Sequence, residues 1–252
     1  MGLMAKCLSR AAFPTTTRRY EASNWAKLGD EKLVRVIGAG KRLATFVAPL
    51  ILSAFLISPT EAKYASFVVD SQNGNIHHAV NADTRNFPAS LTKLMTLYLL
   101  FESIDDGKFK MDSKFRVSRR AERQPASRLG LRRGEFIKVR DAINALIIKS
   151  ANDVASTVAE GLGETERKFA LLMTAKARKL GMTRTTFRNA SGLPHRGQLS
   201  TARDMGTLAR AIINDFPHYY HLFSKTSFVY KDRTYRTHNR LLKTFRGAEG
   251  MK

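Results

Sequence analysis

Hydrophobic residues along this chain fall into two rhythms. Between residues 65 and 80 they alternate over short β-branched runs, Ala65 to Asp70 and Ile76 to Val80, separated by Asn73-Gly74. That pattern predicts a β-hairpin with an Asn-Gly turn. From Leu91 the rhythm changes: Leu91, Leu94, Met95, Leu97, Tyr98 and Phe101 recur every three or four positions, which predicts an amphipathic helix. Pro88 and Ser90 suit its entrance, and Asp105-Asp106-Gly107 marks its exit.

Further helices follow by the same reading. One opens at Asp141 and runs through Ile143, Leu146 and Ile147 to Lys149. A short one passes through Val154 and Val158 to Gly161. A long one spans residues 164 to 180, with Phe169, Leu172, Met173 and Leu180 expected inward and Gly181 as its stop. Residues 183 to 200 read as a turn-rich loop around Ser191-Gly192-Leu193-Pro194. A helix is then expected from about Thr201 to Asn214, with Leu208, Ile212 and Ile213 on one side. Short strands at Phe228–Tyr230 and Thr234-Tyr235 flank Lys231-Asp232. Residues 112 to 140 read instead as a loop-rich basic stretch.

Charge sharpens the picture. The chain has 252 residues, 43 Lys and Arg against 21 Asp and Glu, a net charge of +22, and 43% hydrophobic residues, enough for a real core. Residues 1–62 hold nine of the basic and four of the acidic side chains, leaving 34 against 17 beyond. This segment carries Lys41-Arg42, then 15 uncharged residues from Leu43 to Ile57, then Ser58-Pro-Thr-Glu-Ala62. A basic flank, a short apolar run and a small-residue end are the pattern of a secretory signal peptide, with cleavage expected after Ala62. A membrane anchor is the competing reading, but 15 residues containing Pro49 are short for a span. The mature domain is therefore expected to be 63–252, exported to the periplasm or cell envelope. Cys7, the single cysteine, falls in the leader, so no disulfide and no thiol nucleophile are expected in that domain.

The basic stretch from Arg116 to Arg140 raises nucleic-acid binding as one reading. Only Phe115 and Phe136 interleave it, so stacking platforms are missing, and an exported protein meets little nucleic acid. A solvated basic face that favours anionic envelope polymers fits better. His218 and His221 show no nearby carboxylate or third ligand in the sequence and read as a surface pair rather than a metal site.

Two short constellations carry candidate chemistry. In Ser90-Leu-Thr-Lys93 a hydroxyl and an amine three apart share one helix face, near the positive end of the helix dipole. A partly desolvated lysine can take the proton of an alcohol and make it a nucleophile. The alternative is a capping serine followed by a surface lysine. In Ser150-Ala151-Asn152 a hydroxyl and an amide sit on a tight segment between helices. The hydroxyl can relay a proton to a leaving group, and the amide can hold a substrate carbonyl or the lysine. The alternative there is a helix cap.

Taken together, Ser90-x-x-Lys93, Ser150-Ala-Asn-Asp153, Asn189-Ala-Ser-Gly-Leu-Pro194, Ser200-Thr-Ala-Arg-Asp204 and His238-Asn239 resemble the low-molecular-weight penicillin-binding proteins that are serine-type D-alanyl-D-alanine carboxypeptidases. The resemblance runs from Tyr64 to Lys252. It implies an α+β, penicillin-binding protein and β-lactamase-like fold, an antiparallel sheet with packed helices and a mostly helical region. It also implies Ser90 as nucleophile, Lys93 as its base, Ser150 as proton relay, and Asn152 and Lys252 as substrate-binding residues, with no metal or organic cofactor. Peptidoglycan stem peptides are the implied substrates, and β-lactams the implied inhibitors. Some relatives associate peripherally with the membrane. The family's third motif, Lys-Thr-Gly, is met here only by Lys252, where the sequence stops, so C-terminal strands are expected to be missing. Two other readings stand beside this one: an inactive truncated homologue that binds peptidoglycan, and a class A β-lactamase. For the latter, Glu160, Glu164 and Glu166 all lack the Glu-x-x-Leu-Asn context of a deacylating glutamate.

Overall fold

The computed structural model describes residues 64–251. The expected leader and Lys252 lie outside the described residues.

The hairpin forms as expected: β1 (Ser66–Val69) pairs antiparallel with β2 (Ile76–Val80). Its connection is longer than a two-residue Asn-Gly turn. Asp70 N–H donates to the Asn75 carbonyl at 2.8 Å, and the Asp70 carboxylate accepts the N–H groups of Gln72 and Asn73. An Asx-type turn led by Asp70 therefore shapes the loop, with Gly74 supplying the left-handed residue at φ +79°. These backbone donors hold the Asp70 carboxyl below its usual range.

The chain then enters a 3-10 turn, Ala89–Leu91, that leads into α1 (Thr92–Asp105). Sequence periodicity implied one apolar face. Instead every residue from Thr92 to Phe101 is buried, polar Thr92, Lys93 and Thr96 included, while Leu91 is exposed. A helix buried on all sides is the central rod of a fold rather than a surface helix. Gly107, at φ +73°, ends it as expected.

The basic stretch is more ordered than a loop. It contains β3 (Lys114–Arg116), the short α2 (Arg119–Glu122) and β4 (Phe136–Lys138), with β3 and β4 paired antiparallel. Phe115, Val117, Ile137 and Val139 are all buried. Their two-residue spacing was the missed strand signal, masked by Arg116 and Lys138 between them.

α3 (Val139–Asn144) continues as one π-helical segment, Ala145–Lys149, which ends at Ser150 in the left-handed conformation, φ 57° and ψ 38°. α4 (Asn152–Gly163) and α5 (Glu166–Lys179) follow. On α5, Phe169 and Met173 point inward as expected, but Leu172 is half exposed and Ala170 and Ala177 complete the buried stripe. Residues 183 to 200 form the expected irregular loop, tied by isolated bridges Asn86–Ser200 and Thr186–Leu199. α6 (Ala202–Asp215) buries Leu208 and Ile212 and is capped by the Thr201 hydroxyl, which accepts from the Asp204 N–H. The short α7 (Pro217–Tyr220), the hairpin β5 (Ser227–Tyr230) with β6 (Arg233–Arg236), and α8 (Leu241–Thr244) complete the described chain.

The described strands thus form three separate two-stranded antiparallel ladders around a helical centre. β1 packs on α6, where Gly206 permits the approach: a Cβ there would lie 2.6 Å from the Phe67 ring. Arg203 stacks over Phe67 and forks onto both carboxylate oxygens of Asp83. At the far end of α1, Phe101 stacks on Tyr219 and Tyr98 meets Phe216 edge to face. His218, read from sequence as lacking a carboxylate, finds Asp105 at 3.2 Å across 113 positions, and Tyr219 donates to the same oxygen.

Candidate active site

Ser90 is exposed at the mouth of α1. Its position follows from the residue before it. Ala89 takes the left-handed conformation at φ 46°, turning the chain so that the 3-10 turn presents Ser90 at the N-terminal end of α1. The Asn189–Pro194 loop backs this turn. A Cβ on Gly192 would fall 1.7 Å from the Ala89 carbonyl oxygen, and its φ of +87° also excludes an ordinary side chain. Asn189 shapes the loop by accepting the N–H groups of Ser191 and Gly192 on its side-chain oxygen.

One turn into α1, Lys93 is fully buried. Its Nζ donates to Asn152 Oδ1 at 2.8 Å and to the Ser191 carbonyl at 2.5 Å. Both acceptors are neutral dipoles, and together they fix where the amine sits. The surface-lysine alternative is thereby removed.

Asn152 is itself held on three sides. Its Nδ2 donates to the Pro125 carbonyl at 3.0 Å and its backbone N–H to the Ser127 carbonyl at 2.7 Å, so its oxygen is left to face Lys93. The neighbouring Asp153 is fully buried and accepts the N–H groups of Leu129, Gly130 and Leu131 at 2.8 to 3.0 Å. Asp153 thus welds the 125–131 segment to the start of α4. Ser150 precedes this knot in a left-handed conformation that costs a non-glycine residue energy. Its hydroxyl is buried and makes no hydrogen bond among the described residues. A buried orphan hydroxyl needs a partner, and a substrate can be one.

Ser90 and Ser150 line one cleft of about 700 Å³, with Ser127, Lys149, His238, Asn239 and Arg240 around it and Ile147, Phe223 and Leu241 supplying apolar wall. No carboxylate is among the described residues that line it. Met251 reaches the same cleft; Lys252 lies outside the described residues. Four of the five residues singled out from sequence therefore gather here, two on the cleft wall and two in the hydrogen-bonded base behind Ser90. Sequence reasoning missed the Ser191 carbonyl, because a backbone acceptor carries no side-chain signature. Its trace was the Asn189-x-x-Gly192 turn. Among the described residues there is no cluster of three or more His, Cys, Asp or Glu side chains that could hold a metal, and no helix long and apolar enough to cross a membrane.

Solved structures share this arrangement of elements. D-alanyl-D-alanine carboxypeptidase DacD from Francisella tularensis superposes with a TM-score of 0.71 at 28% identity, over 78% of this chain and 61% of that one. Penicillin-binding protein D2 from Listeria monocytogenes, in its ampicillin-bound form, gives 0.68 at 31% identity over 77% and 80%. The fold is that of the penicillin-binding proteins and β-lactamases, α+β as expected. The peptidase S11 family profile, described as D-alanyl-D-alanine carboxypeptidase, matches residues 57–252, and the chain belongs to that family. D-alanyl-D-alanine carboxypeptidase DacF of Bacillus subtilis is 32% identical over 201 residues, 76% of this chain and 50% of its own length. The chain spans about half the length of the curated relatives it matches.

Proposed function

We propose that this chain carries the acyl-transfer centre of a serine-type D-alanyl-D-alanine carboxypeptidase. The observation that supports it most is the buried Lys93 amine, held by Asn152 and Ser191 one helical turn from an exposed Ser90 that shares its cleft with Ser150. Ser90 Oγ attacks the carbonyl between the two terminal D-alanines of a peptidoglycan stem peptide while Lys93 takes its proton. The Ser90 N–H, at the head of α1, helps hold the developing oxyanion. The carbon–nitrogen bond then breaks. Ser150 passes a proton to the departing D-alanine amine, and water later cleaves the Ser90 ester. Asn152, its side chain committed to Lys93 and to the Pro125 carbonyl, serves by holding the amine rather than by reaching into the cleft.

A β-lactam places a strained amide where the D-Ala-D-Ala bond would lie, so it acylates the same hydroxyl. The absence of a carboxylate among the described cleft residues supports retention of the drug rather than β-lactamase turnover, since rapid deacylation needs a base for water. On this reading the protein works in the cell envelope, reached through the leader at residues 1–62.

Labelling of the purified chain with a fluorescent penicillin tests the proposal. Wild type should take one covalent label that Ser90→Ala does not. A folded wild type without label would instead be a peptidoglycan-binding homologue, and quick release of hydrolysed drug would make it a β-lactamase.

A further inference from the structure

Glu166 is a buried charge that the acylation scheme does not use. It stands in the first turn of α5, 4% exposed, and does not line the cleft. One oxygen accepts from Arg120 Nε at 2.7 Å and from the Ser156 hydroxyl at 3.3 Å. The other accepts the Ala190 N–H at 3.2 Å. Ala190 is the residue before Ser191, whose carbonyl meets Lys93. The Ala190 carbonyl in turn accepts from the Thr96 hydroxyl at 2.8 Å, three residues along α1 from Lys93.

The Ala190-Ser191 dipeptide is therefore gripped from two directions. α1 reaches its two carbonyls through Lys93 and Thr96, and α5 reaches its N–H through Glu166. A carboxylate makes the stronger hydrogen bond, because its acceptor is charged. Arg120 and Ser156 keep that carboxylate from rotating, so the oxygen facing Ala190 has one position.

We propose that Glu166 is a positioning residue for Lys93. Through the Ala190 N–H it sets where the Ser191 carbonyl meets the amine, and so the distance from Lys93 to Ser90. This rests on the reading of Lys93 as the base for Ser90. A hydrogen bond that only staples helices would govern how much protein is folded. One that positions the amine governs how fast each folded molecule reacts, since small displacements of a reacting group are costly.

Acylation of the full chain by a fluorescent penicillin separates the two, because label amplitude counts competent molecules and the single-turnover rate constant reports each one's chemistry. Glu166→Ala should lower that rate constant by roughly ten- to a hundredfold. Glu166→Gln, which keeps an oxygen for the Ala190 N–H, should fall clearly less. Thr96→Val, close in shape, loosens the same dipeptide from the α1 side and should lower the rate constant as well. An alanine variant that reacts at the wild-type rate with reduced amplitude overturns the proposal. If that variant does not fold, an unchanged rate constant in Thr96→Val overturns it and a lowered one supports it. Lys93→Met is run beside them: wild-type labelling there would remove the reading of Lys93 itself, an outcome distinct from failure of the Glu166 proposal alone.

Discussion

Lys93 Nζ and Asn152 Oδ1 lie 2.8 Å apart, buried, although 59 positions separate them in the chain. This contact joins the Ser-x-x-Lys and Ser-x-Asn segments into one unit, and substitutions on either side of it should be felt on the other. Lys93→Met should lower the penicillin acylation rate by about 10²- to 10⁴-fold, the usual contribution of a positioned proton acceptor. Its thermal midpoint should fall too, because Asn152 Oδ1 and the Ser191 carbonyl lose a donor, each loss costing about 1–3 kcal/mol. Asn152→Ala should lower the rate by a smaller factor. Stopped-flow fluorescence and thermal melts of the three proteins check this; equal rates would break the link.

Gly192 should tolerate no side chain. Its positive φ and the closeness of the Ala89 carbonyl mean that Gly192→Ala must displace the turn presenting Ser90. The left-handed strain alone is about 1 kcal/mol or more. The expected result is a moderate loss of stability with a disproportionate loss of labelling rate. Gly107→Ala, where no atom lies within 4 Å, is the control: it carries the conformational cost and should leave the rate alone.

Asp153→Ala strips the acceptor from four backbone N–H groups at once, those of Leu129, Gly130, Leu131 and Val154. Three of the four donors belong to buried Leu129, Leu131 and Val154. With about 1–3 kcal/mol for each unsatisfied buried donor, a loss on the order of 3 kcal/mol or more is expected in urea melts. Asp153→Asn, which keeps one oxygen, should lose less.

Tyr98 predicts an alkaline limit to stability. Burial raises its phenol, and the hydrogen bond it donates to Asp215 at 2.7 Å adds to the effect. Tyr219 is pushed up to about 12 by burial and by its bond to Asp105. A tyrosine harder to ionise when folded stabilises fully below its unfolded value of about 10, and that contribution fades as pH climbs through the folded value. Urea melts should therefore be level near neutrality and decline from about pH 10 upward. In Tyr98→Phe the decline should be shallower, from a start about 1 kcal/mol lower for the lost hydrogen bond.

Much of this architecture can be read from the chain, because periodicity reports which face of an element meets apolar neighbours. The hairpins and the helices through Phe169 and Leu208 follow from it. α1 misled because its polar residues, Lys93 and Thr96, are buried by partners distant in sequence, which no local pattern encodes. β3 and β4 were hidden by the basic side chains of Lys114, Arg116 and Lys138 on their outer face. Among site residues, the side chains of Ser90, Lys93, Ser150 and Asn152 were legible as spaced pairs. The carbonyls of Pro125, Ser127 and Ser191 that hold them were not, since any residue has one.

The grip of Ser191 on Lys93 spans 98 positions, and that of Ala190 on Thr96 spans 94. Closing loops of that length comes late and slowly when a chain folds. The amine behind Ser90 is therefore seated only after α1 and the segment around residue 190 have docked. Covalent capture by penicillin then reads out molecules that have completed this long-range docking, and in a refolding time course the label should lag behind the return of helical circular dichroism.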